Sequence, residues 1–241
     1  MNPYETQKLV DEYLLFHYGS DEEVLTYPDG PVGALGFAIR SVTAMMDVGR
    51  PRGRALDLGC AVGRSSFELS KFCDSVVGID FSNAFIETAE KIRSGASLGY
   101  QRLEEGSLKT PLVAEAPTCS RPELVSFEVG DAMDLRADIE GFDLVHAANL
   151  ICRLPEPSRL LRRLGELVGS GGELILTTPC TWLGEFTPPE NWPEGRTIDW
   201  LQRELDGDFE LDEVKDLPFL IRETARKFQW TVAQGSRWIR R

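Results

Sequence analysis

The chain has 241 residues, 42% hydrophobic and 27% charged, with a formal net charge of −13; this fits one large α/β domain with a sizeable core rather than two ordinary domains, and the acidic balance makes nucleic acid an unsuitable partner. No run approaches the ~18 apolar residues of a membrane span, and the start MNPYETQKLVDEY lacks the basic and apolar regions of a leader. Cys60, Cys73, Cys119, Cys152 and Cys180 are odd in number and lack C-x-x-C spacing, and only His17 and His146 are present, so neither a disulfide framework nor a metal site is indicated and a cytoplasmic protein without membrane contact is expected.

In chain order, residues 1–50 come first. A helix-like NPYETQKLVDEYLLFHYG is followed by the Pro/Gly-punctuated YPDGPVGALGF and a second helix up to Met46, which together read as an N-terminal helical cap or lid. From residue 51 to 241, strand-like and helix-like segments alternate in the manner of a mostly parallel sheet. Strands are expected at 54–58, 75–79, 125–129, 142–147 and 172–178, and helices at 63–72, 83–93 and 157–168, the last stopped by Gly169 and the Gly171-Gly172 pair. The stretch 94–124 is longer than most connections in compact domains, and a small hairpin is expected around Glu105-Gly106. At the end, FELDEVKDL at 209–217, a short helix after Pro218, and FQWTVAQGSRWIRR at 228–241 read as an antiparallel edge.

The chemistry concentrates at the ends of the predicted strands. In ALDLGCAVGR at 55–64, a strand runs through Asp57 into a turn at Gly59 and Gly63, and missing side chains let main-chain N–H groups approach a ligand. The pattern D-x-G-x-x-x-G differs from the G-x-G-x-x-G of a pyrophosphate site, and no Lys-Ser/Thr pair follows it. An anionic Asp57 beside such a turn suits a cationic amine or sulfonium, which points to S-adenosylmethionine. VVGID then sets Asp80 at the end of the second strand, where a carboxylate accepts from both ribose hydroxyls of an adenosine. FEVGDAMDL supplies Asp131 for an adenine amino group, with Ala132 and Met133 along the ring edge, and FDLVHAANLICRL delivers His146, Asn149 and Leu150 to the same rim. Each signal alone is weak; four at successive strand ends converge on the ligand crevice of an open sheet. His146 itself, in an apolar strand, reads as a satisfied buried residue.

Together LDLGCAVG, VVGID, VGDA and FDLVHAANLI resemble the class I S-adenosylmethionine-dependent methyltransferases. The likeness implies a Rossmann-like α/β fold: a seven-stranded, mostly parallel sheet with an antiparallel final strand. It implies donor contacts from Asp57, Gly59, Cys60, Ala61, Gly63, Asp80, Phe81, Ser82, Asp131, Ala132, Met133, Asn149 and Leu150. A narrower resemblance rests on ETQKLVDEYLLFHYGS with GPVGAL, on TTPCTWLGEFTPPENW and on DLPFLIRETARKFQW, which look like the 4-mercaptohistidine (5-thiohistidine) N1-methyltransferase domain at the C-terminus of ovothiol-synthesising sulfoxide synthases, here free-standing. It implies methylation of an imidazole nitrogen on 5-thiohistidine or its selenium analogue, with S-adenosylhomocysteine as product and no metal. An upstream sulfoxide- or selenoxide-synthase enzyme is the partner it implies.

Such a transfer needs the donor methyl and the ring nitrogen aligned in a dry pocket, and a ring nitrogen with a free lone pair. His17 is the preferred base, with Tyr13 and Asn149 as further catalytic groups. Phe16 and Tyr18 join Tyr13 as lid aromatics, and Gly30, Pro31, Gly33 and Phe37 border the methionine end. Arg153 is the expected partner of a substrate carboxylate; Arg222 and Arg226, one helical turn apart, could reach the same space but read better as a solvated helix face. Thr181, Trp182, Phe186 and Trp192 form the pocket wall. The alternative readings are a methyltransferase for another small amine or thiol, and a binding module that holds S-adenosylmethionine without turnover.

Overall fold

A computed structural model describes residues 3–50 and 52–241; Met1, Asn2 and Pro51, which the sequence reading places in the cap and at the boundary after residue 50, lie outside the described residues. The helices are α1 (Gln7–Tyr18), α2 (Asp21–Val24), α3 (Phe37–Thr43), α4 (Arg64–Leu69), α5 (Asn83–Arg93), α6 (Pro157–Leu167) and α7 (Thr197–Leu205). The strands are β1 (Arg54–Leu58), β2 (Ser75–Asp80), β3 (Leu98–Glu105), β4 (Leu108–Ala114), β5 (Val125–Val129), β6 (Phe142–Ala148), β7 (Val168–Thr178), β8 (Phe209–Arg222) and β9 (Phe228–Arg240). Seven of them form one sheet in the order β5-β2-β1-β6-β7-β9-β8, and β3 and β4 pair separately as the hairpin expected within 94–124. β1, β2, β5, β6 and β7 pair in parallel, and β9 runs antiparallel to both β7 and β8. The expected mostly parallel seven-stranded sheet with its antiparallel last strand is therefore present.

The order in which strands are added reverses between β1 and β6, which run parallel. The chain leaves β1 outward through β2 and β5, then returns to β6 on the other side, which opens a crevice over the carboxyl ends of the strands. β1 and β6 are near-continuously buried because a parallel central strand is covered on both faces. α6 starts with Pro157 at its first turn and buries Leu160, Leu161, Leu164 and Leu167 at helical spacing, with its arginines on the other side.

The N-terminal helices share one apolar cluster with the sheet. Val10, Leu14, Leu15, Phe37, Val42 and Met45 pack with Ala55, Val62, Phe67 and Leu144. Thr6 caps α1, its side chain accepting from Leu9 N–H, and Ser20 forms a reciprocal capping box with Glu23 at α2. The helix expected up to Met46 ends at Thr43, and the one expected over 63–72 occupies Arg64–Leu69.

The C-terminal part differs from expectation in one respect: no helix follows Pro218. β8 runs through it, with Pro218 opposite Val232. β8 is the edge strand, so proline's missing N–H removes no ladder bond. At the opposite end of the strands, buried Arg52 pairs with buried Glu173, whose other oxygen accepts from Asp47 N–H at 3.2 Å.

Candidate active site

The turn after β1 is held from within. Gly59 and Cys60 N–H donate to Ile79 C=O at 2.8 and 3.1 Å, Ala61 N–H donates to Asp80 Oδ2 at 2.9 Å, and Gly63 N–H donates to Cys60 C=O at 2.9 Å. These amides are spent on the protein and do not form the ligand-facing set that the glycine pattern suggests. The glycines serve geometry instead. Gly63 has φ +86°, and a Cβ there would stand 2.5 Å from Phe127 Cζ; Gly59 has φ +69° and lies under Leu150. Ala61 also takes a positive φ, +48°.

Asp57 requires a correction. It is 1% exposed, and its carboxylate accepts from Ser66 Oγ at 2.6 Å and lies 2.8 Å from His146 Nδ1, which therefore carries the ring proton. His146 Nε2 faces Ser41 Oγ at 3.1 Å. A buried Ser41–His146–Asp57–Ser66 chain thus ties α3, β6, β1 and α4 together beneath the turn, and Asp57 supports the crevice without facing a sulfonium. Cys60 is likewise buried, and burial pushes its thiol well above the usual range, in keeping with a packing role.

Asp80 stands where the sequence puts it, at the end of β2. Its oxygens accept from the backbone amides of Ser82 and Ala61, both at 2.9 Å; burial raises its pKa, and the backbone amides of Ser82, Ala61 and Phe81 oppose the rise. A carboxylate has about four acceptor positions, so these amides leave acceptor capacity for a hydroxyl-bearing ligand. The Ser82 hydroxyl is engaged within the protein: it accepts from Phe85 N–H as the α5 cap and donates to Tyr4 C=O at 2.9 Å. Phe81 is 63% exposed. Asp131 Oδ1 accepts from Met133 N–H at 2.8 Å, closing the turn that presents Ala132 and Met133 after β5. Asn149 adopts φ +53°, and its Oδ1 accepts from Thr177 Oγ1 at 3.1 Å.

α1 lies across this rim. Tyr18 Oη donates to Val62 C=O at 2.7 Å, fastening the helix to the glycine turn. Tyr13 stacks at a tilt on Phe85 with centroids 4.6 Å apart, and Phe16 packs on Phe37 and His17. Burial lifts the phenols of Tyr13 and Tyr18 well above their ordinary value. His17 lines a cavity of about 100 Å³ with Phe16, Tyr18, Leu35, Arg64 and Leu220. Its Nδ1 is buried without a hydrogen-bond partner among the described residues, and burial lowers its pKa to about 3. The ring is therefore neutral at physiological pH, a hydrogen-bonding group and only a weak proton acceptor.

Arg153 follows β6 and donates to Thr181 C=O at 3.1 Å, with its guanidinium over the Phe186 ring. Its charge acts on the phenols of Tyr4 and Tyr13 together with that of Asp80, so the segment before α1, α1 itself, the end of β2 and the turn after β6 bring these four residues to one region. Other expected contacts fall elsewhere. Arg222 is buried on β8 and bonded to Glu104 of the hairpin at 2.6 Å and to Glu23 C=O, so it clamps α2, β4's partner strand β3 and β8, while Arg226 sits in the exposed β8–β9 turn. The two are not on a helix. Trp182 donates to Thr197 Oγ1 and meets Trp200 edge-on, anchoring its segment to α7, and Trp192 donates to Thr187 C=O. Thr181 is exposed next to Arg153. Sequence reasoning missed Arg64, whose neighbour in space is His17, and Tyr4 and Glu5, whose partners are about eighty residues away.

A sheet of this order, with acids closing β2 and β5 and a side-chain-poor turn after β1, defines the Rossmann-like class of S-adenosylmethionine-dependent methyltransferases. A family model described as a methyltransferase domain matches residues 34–226, and the chain belongs to that family. Among curated relatives it is 26% identical over 128 residues to tocopherol O-methyltransferase of Arabidopsis thaliana, covering 53% of this chain and 30% of that protein. It is 24% identical over 123 residues to ubiquinone biosynthesis O-methyltransferase of Coxiella burnetii, covering 51% and 42%. The chain thus spans less than half the length of these relatives. Among solved structures it is similar to N-methyltransferase NodS from Bradyrhizobium japonicum, with TM-score 0.53, 14% identity and coverage of 84% and 92%. A methyltransferase from Methanosarcina mazei gives TM-score 0.53, 20% identity and coverage of 79% and 93%. No helix among the described residues is long and apolar enough to cross a membrane.

Proposed function

We propose that this methyltransferase transfers a methyl group to the imidazole nitrogen of 5-thiohistidine or its selenium analogue. The observation that carries the reading is α1: the helix whose sequence, EYLLFHYG, has the specific resemblance is the one fastened to the glycine turn through Tyr18 and Val62. The donor, when bound, supplies an electrophilic methyl on a sulfonium. Asp80 and Asp131 suit its adenosine, because each carboxylate keeps acceptor capacity beyond its backbone bonds.

The remaining groups suit a small zwitterionic acceptor. Arg153, its guanidinium stacked on Phe186, offers N–H groups for a carboxylate. Neutral His17 and the Tyr13 phenol can orient an imidazole without adding charge to it, and a ring held this way keeps its lone pair. Positioning has to override intrinsic reactivity, since the thiolate or selenolate is the softer nucleophile; an effective alignment is worth several kcal/mol. A soluble pathway partner, the enzyme that installs the chalcogen, and a cytoplasmic location belong to the same proposal.

The test is mass-spectrometric methylation of histidine, 5-thiohistidine and 5-selenohistidine with S-adenosylmethionine, with tandem fragmentation to place the methyl. Ring-nitrogen product from a chalcogenated histidine, with histidine inert, is expected. Methylation on sulfur or selenium, or no product while the donor binds, overturns the acceptor assignment.

A further inference from the structure

The segment just before α1 touches the crevice in a way that the methyltransferase family and the acceptor reading leave unexplained. Glu5 is exposed, yet its two carboxylate oxygens accept from Asn83 N–H at 2.9 Å and Ala84 N–H at 3.1 Å, the first amides of the eleven-residue α5. An anion there meets unpaired donors and the positive end of the helix dipole. Tyr4 C=O, next along, accepts from Ser82 Oγ at 2.9 Å. The Tyr4 ring stands edge-on to Phe85 at 5.7 Å and to Tyr13 at 6.1 Å.

Ser82 joins the two layers. Its N–H holds Asp80 Oδ1, while its hydroxyl holds the strap. The carboxylate that suits a ribose diol is therefore linked through one residue to residues 4 and 5. The half-buried Tyr4 ring packs on Phe85 and Tyr13, and the charges of Asp80 and Arg153 also act on its phenol, which sets that ring beside the site. Because the Glu5 bonds are solvent-exposed, they can break and re-form without stranding buried donors.

We infer that Glu5 is a positioning residue, the latch of a strap at residues 4–5 that closes Tyr4 over the nucleoside end of the crevice and retains a bound adenosine ligand. It rests on the adenosine-binding role of Asp80 and is independent of which acceptor is used. Opening the latch admits and releases the ligand; closing it seats Tyr4 against Phe85 and Tyr13.

Surface plasmon resonance with S-adenosylhomocysteine over the immobilised full chain tests the inference without turnover. Glu5→Ala is expected to speed dissociation about tenfold, equivalent to about 1.4 kcal/mol, with association no slower than wild type, and Glu5→Gln, which keeps one acceptor oxygen, to fall between. A dissociation rate in Glu5→Ala within twofold of wild type overturns the proposal. Hydrogen exchange on the wild-type chain gives a second readout that needs no variant. Added S-adenosylhomocysteine should slow exchange at the Asn83 and Ala84 amides, and unchanged exchange at saturating ligand also overturns it. Since neither experiment contains an acceptor, a silent acceptor panel with intact latch kinetics would reject the substrate reading alone.

Discussion

The two halves of the crevice are built differently. In the donor half, over β1, β2 and β5, polar groups are tied by main-chain bonds close in space to their own strands: the turn amides on Ile79 and Asp80, the Asp80 oxygens on Ser82 and Ala61, and Asp131 on Met133. In the proposed acceptor half, α1 and the loop after β6 contribute the side chains, and His17 Nδ1 is buried without a partner among the described residues. On the proposed assignment, the contrast teaches that a cofactor shell can be backbone-made while a substrate shell keeps a buried polar atom, His17 Nδ1, for its ligand.

Four experiments sharpen or break this comparison. Asp80→Ala removes the carboxylate from the donor half, and two charge-assisted hydrogen bonds to a diol are worth about 3 kcal/mol or more. S-adenosylhomocysteine affinity measured by calorimetry should fall at least about 100-fold; a tenfold change or less would show that the diol is held elsewhere. Gly63→Ala sets a Cβ 2.5 Å from Phe127 Cζ at φ +86°, which overpacks and strains the turn by about 3 kcal/mol. A clear drop in melting temperature is expected, and an unchanged one would mean the turn relaxes freely.

Glu104→Ala lies away from both halves and strands the buried Arg222 guanidinium. Denaturant unfolding should lose about 2 kcal/mol, with S-adenosylhomocysteine affinity within twofold of wild type. A large loss of affinity would place the hairpin in the site. His17 gives the most specific effect, seen only as a pH dependence. Its pKa lies at about 3 in the folded chain and near 6.5 when unfolded, so above pH ~6.5 it contributes no pH dependence. Below that the unfolded state binds a proton that the folded state refuses, and stability falls by up to about 1.4 kcal/mol per pH unit toward pH 3. Comparing unfolding free energies of wild type and His17→Asn between pH 7 and 4.5 should show that the variant lacks this slope; equal slopes would mean that the ring gains a proton partner.

The same contrast explains what could be read from the sequence. Asp80 and Asp131 were legible because strand period and chain order place the residue after a parallel strand at the crevice. The seven-stranded, mostly parallel sheet and its antiparallel last strand are legible for that reason together with the family motifs. The fate of Asp57 was not, because its partners Ser66 and His146 come from α4 and β6, and one pattern position does not tell a ligand-facing acid from a buried one. Pro218 misled because proline usually punctuates structure, while an edge strand tolerates it. Arg222 and Arg226 looked like a helix pair for the same reason. His17 was singled out as a base from its residue type; its neutral state follows from burial, which only packing reveals. Tyr4 and Glu5 carry no local signal at all, because their bonds reach the first turn of α5.

The central claim is that one crevice holds an adenosine on Asp80 and a chalcogenated imidazole under α1. A crystal structure of the chain with S-adenosylhomocysteine and 5-thiohistidine tests it most directly. The account predicts the ribose hydroxyls on the Asp80 carboxylate, the amino-acid carboxylate on Arg153, and a ring nitrogen rather than the chalcogen as the acceptor atom nearest the thioether sulfur. A ring that binds outside the space bordered by Tyr13 and His17, or one that turns its sulfur toward the thioether, would contradict it.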